Sequence, residues 1–69
     1  MSYLVRGNIV ERTQEPRFRV VVRVNENRRV EAGDIEWIDD PPLDIYSLNG
    51  YIQQALDAWN REQTLSESD

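Results

Sequence analysis

Apolar and polar residues alternate most sharply across Arg17 to Val24, where Phe18, Val20, Val22 and Val24 interleave with Arg17, Arg19, Val21 and Arg23. A period of two in β-branched residues marks a strand with one face buried. Upstream, residues 3–12 read as a first strand with Tyr3, Val5 and Ile9 on one face. Gly7 falls between them, where a bulge or a close backbone approach is expected. Thr13-Gln14-Glu15-Pro16 separates the two strands, since proline cannot donate to a ladder. Asn25-Glu26-Asn27-Arg28 ends the second, because Asn tolerates left-handed backbone and bonds locally. A third strand is expected from Arg29 to Ile38. Val30 and Ala32 share one parity and Ile35 and Trp37 the other, so a single-residue bulge at Gly33 is required to bring all four to one face.

Past the Asp39-Asp40-Pro41-Pro42 break, the period changes to that of a helix. Ile45, Leu48, Ile52, Ala55, Leu56 and Trp59 form one stripe, with Asp44 or Ser47 as the N-cap. Asn49-Gly50 leaves two readings open: a continuous helix weakened by glycine, or a short turn of helix before Ser47 and a main helix after it. Residues 63–69 read as a disordered acidic tail. The expectation is a single small β-β-β-α domain over residues 1–62. Its class is α+β: a three-stranded antiparallel meander with one C-terminal helix packed on one face. Tyr3, Val5, Ile9, Phe18, Val20, Val22, Val30, Ile35, Trp37, Ile45, Leu48, Ile52, Leu56 and Trp59 are the expected core.

Composition sharpens this picture. With 69 residues, only one small core is available. No apolar run is long enough to span a bilayer, and the first residues lack the pattern of a secretory signal. The chain has no cysteine. Together these features give a cytoplasmic expectation with no membrane partner. Lysine is absent too, so every basic side chain is a planar, weakly hydrated guanidinium. Charge is segregated: seven Arg stand against three acids through residue 30, a net of +4, and one Arg against ten acids follows, a net of −9.

The missing residue types narrow the chemistry. Without histidine, cysteine or lysine there is no ordinary general base near neutral pH, no thiolate and no Schiff-base amine. A non-enzymatic protein is expected, with no catalytic residues and no cofactor. Asp39, Asp40 and Asp44 lack the spacing of a calcium loop and read as a solvated turn, so no metal is expected. Gly7, Gly33 and Gly50 are isolated and build no phosphate cradle.

What remains is a face. If the helix covers one side of the sheet, the other side combines Arg6, Arg12, Arg17, Arg19 and Arg23 with Leu4, Val10 and Val21. Glu31, Asp34 and Glu36 on the third strand are placed to form a cross-strand ion ladder with these arginines, although three acids do not neutralise five Arg. Arg mixed with aliphatics is typical of protein interfaces. These eight residues are therefore the expected binding surface for another protein, with a weak homodimer through the same face as one form of it. Two other readings rank below. Nucleic acid bound through the Arg-rich strand is opposed by the net charge of −5 and by the lack of aromatics on that face. An acidic mimic of nucleic acid, built on the carboxylate-rich second half, is spoiled by the Arg strand. The order strand–strand–strand–helix occurs in many unrelated small domains and carries no function by itself.

Overall fold

The alternating segments pair in sequence order into a four-stranded antiparallel sheet, β1-β2-β3-β4, and the helix closes one side of it. The computed structural model describes residues 2–67. The strands are β1 (Tyr3–Arg6), β2 (Ile9–Arg12), β3 (Phe18–Val24) and β4 (Val30–Trp37), followed by α1 (Ile45–Glu67).

The expected first strand is in fact a hairpin, which makes four strands rather than three. Gly7-Asn8 is a two-residue turn between Arg6 and Ile9, with Gly7 at φ 58°. Positive φ at the first central residue alone is the habit of a type II′ turn, which suits the twist of the flanking strands. The turn also changes which residues share a face. Cross-strand partners project to the same side, and the register Tyr3↔Arg12, Val5↔Val10 joins odd positions before the turn to even positions after it. Val10 and Arg12 therefore lie beneath the helix, whereas Ile9 points away from it.

The bulge anticipated at Gly33 is present. Val20 pairs with Ile35 but Val22 pairs with Ala32, so β4 holds one extra residue opposite Val21. Glycine is needed there because a Cβ would sit 2.8 Å from Arg23 Nε and 3.0 Å from the Val21 carbonyl. The shift places Val30, Ala32, Ile35 and Trp37 on the helix side. There they pack with Tyr3 and Val5 around the buried cluster of Val10, Phe18, Val20, Val22 and Ala55. Phe18 stacks obliquely on Trp37 at 4.8 Å between centroids.

Asp44 is the N-cap. Its carboxylate accepts from the Ser47 amide at 3.0 Å and the Ser47 hydroxyl at 2.7 Å, satisfying donors the first turn leaves open. The helix runs through Asn49-Gly50 without a break and continues to Glu67, where a tail was expected; the rest of that expectation, Ser68 and Asp69, lies outside the described residues. Tyr51, Leu56 and Trp59 face the sheet, and Trp59 Nε1 donates to the Gly7 carbonyl at 3.0 Å, pinning the hairpin tip. Ile45 begins the expected stripe, yet it is exposed. Among the described residues, no helix is long and apolar enough to cross a membrane.

Candidate interaction surface

Among the described residues, nothing covers one face of the sheet. β1 contributes Leu4 and Arg6, β2 contributes Ile9 and Glu11, and β3 contributes Arg19, Val21 and Arg23. Arg17 stands just before β3, and Glu31, Asp34 and Glu36 come from β4. The structure thus assembles six of the eight expected residues: Leu4, Arg6, Arg17, Arg19, Val21 and Arg23. Val10 and Arg12 are corrected out of the surface, being 0% and 8% exposed beneath the helix. Ile9 takes their place at 40% exposure, beside Leu4 at 40%. The signal for this exchange was the Gly-Asn dipeptide between two apolar runs, a recognised two-residue hairpin sequence.

The arginines do not stand free. Arg19 Nε binds Glu11 at 3.0 Å and its Nη1 lies 3.8 Å from Glu36, a row of charges across β2, β3 and β4. Arg23 reaches Asp34 at 4.0 Å. Arg17 grips Asp39 with two parallel bonds, Nε to Oδ2 at 3.0 Å and Nη2 to Oδ1 at 3.1 Å, and its backbone amide adds a third at 2.9 Å. Those bonds to Arg17 hold the Asp39 carboxyl below the usual range and raise the Arg17 guanidinium. Arg6 alone among these arginines makes no ion pair within the described residues. Four guanidinium groups (Arg6, Arg17, Arg19, Arg23) face five carboxylates (Glu11, Glu31, Asp34, Glu36, Asp39), a net of −1. A row of Arg6, Ile9 and Val21 crosses the middle, next to a shallow depression of about 240 Å³ lined by Leu4, Arg6, Ile9, Glu11 and Arg19.

Arg12 does something different. Its guanidinium lies under the helix, 4.4 Å from the centre of the Tyr51 ring and 5.4 Å from that of Tyr3. Nη1 donates to the Tyr3 hydroxyl at 3.1 Å and Nη2 to the Glu15 carbonyl at 3.4 Å, whereas Nε is buried with no hydrogen-bond partner among the described residues. Tyr3 in turn donates to Gln54 Oε1 at 2.8 Å. Burial pushes the Tyr3 phenol up, against the lowering effect of Arg12. This is a structural cation held by aromatic faces, with no route to a partner. Among the described residues no group of His, Cys, Asp or Glu is placed to hold a metal ion.

No protein-family model, curated protein or solved structure matches this chain.

Proposed function

We propose that this chain is a non-enzymatic protein-interaction module, an adaptor or regulator that docks another protein on its uncovered sheet face. The observation that carries this reading is the composition of that face. Leu4, Ile9 and Val21 lie open or half-open between ion pairs whose charges nearly cancel. A nearly neutral mixture of Arg and aliphatics favours a protein partner, because interface cores are apolar with Arg enriched. A phosphate track needs a cationic excess, and here the face carries a net of −1. Tyr3, Phe18 and Trp37 pack on the helix side, which leaves no sheet aromatic for base stacking. These features rank the nucleic-acid reading below the protein one.

The test is capture from the native extract with wild-type chain and with an Ile9→Glu/Val21→Glu pair, each confirmed folded by circular dichroism. The reading predicts a stoichiometric protein retained by wild type and lost from the paired variant. Retention by both contradicts it.

A further inference from the structure

We propose that β1 is a self-pairing edge: two copies of the chain join through β1, antiparallel about a two-fold axis at Leu4, to make one continuous eight-stranded sheet from the two four-stranded ones. This contact uses the edge of the sheet and does not depend on the docking proposed for its open face.

The hydrogen-bond phase fixes the geometry. The Thr13 amide donates to the Ser2 carbonyl at 2.8 Å, so Ser2 and Thr13 form a hydrogen-bonded pair. Bonded and non-bonded pairs alternate along an antiparallel ladder. Leu4–Glu11 and Arg6–Ile9 are therefore the next bonded pairs, and the N–H and C=O of Tyr3 and Val5 point away from β2 to the free edge. When a second β1 lies antiparallel with Tyr3 opposite Val5, both residues of each copy exchange N–H···O bonds, closing about four hydrogen bonds around the axis. Leu4 then meets Leu4 of the other copy directly, in the close non-bonded position, on the open face where it is half-exposed.

The two edges of the sheet differ in how they resist pairing. β4 carries the Gly33 bulge and three acids, Glu31, Asp34 and Glu36, all devices that discourage strand addition. β1 has no proline, lysine or bulge. Above it runs a groove of about 450 Å³ between the strand and a helix stripe that includes Gln54, Ala58 and Arg61. The helix follows the direction of β1, since Tyr3 bonds Gln54 and Gly7 bonds Trp59. A two-fold axis therefore runs the two helices antiparallel, turning Arg61 toward the Gln54 end of the other copy. Arg61 makes no ion pair among the described residues.

Backbone amide exchange of the whole chain by NMR, from roughly 20 µM to about 1 mM, covers the range in which so small a contact associates. The proposal predicts that the Tyr3 and Val5 amides slow roughly four- to sevenfold with concentration, the fall in monomer fraction that a dimer allows over this range, while Leu4 and Arg6, already paired to β2, do not change. Unchanged Tyr3 and Val5 rates overturn it, as does protection that develops only when a peptide from another protein is added. Sedimentation gives a second test. Leu4→Lys and Leu4→Glu should each remain monomeric, because like charges meet on the axis, and an equimolar mixture should dimerise again. Failure of the mixture to associate overturns the register. Association lost in Val21→Glu but retained in Leu4→Lys overturns the edge and assigns self-association to the open face.

Discussion

Arg12 and Val10 show what decides the fate of a side chain in a sheet this small. Neither residue type nor neighbours in sequence placed them; the parity of the hairpin did, because Tyr3↔Arg12 and Val5↔Val10 are cross-strand partners. For valine this is a gain, and Val10 is fully buried in the core. For arginine it brings a desolvation cost that aromatic faces, one hydroxyl and one carbonyl only partly offset, with Nε left unbonded. Replacing a buried charge by an apolar side chain of similar length removes that cost. Arg12→Met is accordingly expected to match or exceed wild type in thermal midpoint, whereas Arg12→Ala should fall below it because a void opens under Tyr51. A melting temperature for Arg12→Met well below wild type would show instead that the Tyr51 and Tyr3 contacts outweigh desolvation.

The elements respond to their own terminal and interior residues. Gly50 lies inside α1 with nothing within 4 Å of the position its Cβ would take. Gly50→Ala should therefore stabilise the protein by about 0.5–1 kcal/mol, read as a higher urea midpoint at an unchanged slope. A lower midpoint would mean the helix needs flexibility there. The link between β4 and α1 is tied at both ends by carboxylates, Asp39 to Arg17 and Asp44 to Ser47. Bonds from the Arg17 side chain and backbone lower the Asp39 pKa, and the Ser47 hydroxyl and amide lower that of Asp44. A depressed folded pKa gives stability that is complete above the unfolded value of about 3.9 and disappears as pH falls through the folded one. Acid titration should thus show stability declining below about pH 4, and less steeply in an Asp39→Asn/Asp44→Asn pair; equal slopes would contradict the assignment. These elements also differ in how legible they were. Uninterrupted periodicity announced β3, the apolar stripe announced α1 but left its continuity at Asn49-Gly50 open, and the parity conflict around Gly33 announced the bulge. The Gly7 hairpin was hidden because Tyr3, Val5 and Ile9 keep a single parity straight across the turn, so a continuous strand satisfied the pattern. Register, which decides the open face, then inverted for β2.

At the scale of the molecule, one helix cannot cover both sides of a sheet, and that shortage defines the surface. The helix takes the side with Val10, Phe18, Val20 and Trp37, leaving Leu4, Ile9 and Val21 among the ion pairs of Arg17, Arg19 and Arg23. Part of the charge segregated along the sequence is cancelled on folding, because Arg17, Arg19 and Arg23 pair with Asp39, Glu36 and Asp34 from beyond residue 30. What persists is a near-neutral face suited to a protein partner. Photo-crosslinking in the native cell tests this most directly, with a photoreactive side chain placed at Val21 on the open face or at Asn60 on the exposed side of the helix. The account predicts a discrete protein adduct from position 21 and none from position 60. Adducts from position 60 with none from position 21 would show that the molecule works through its helix and would contradict the account.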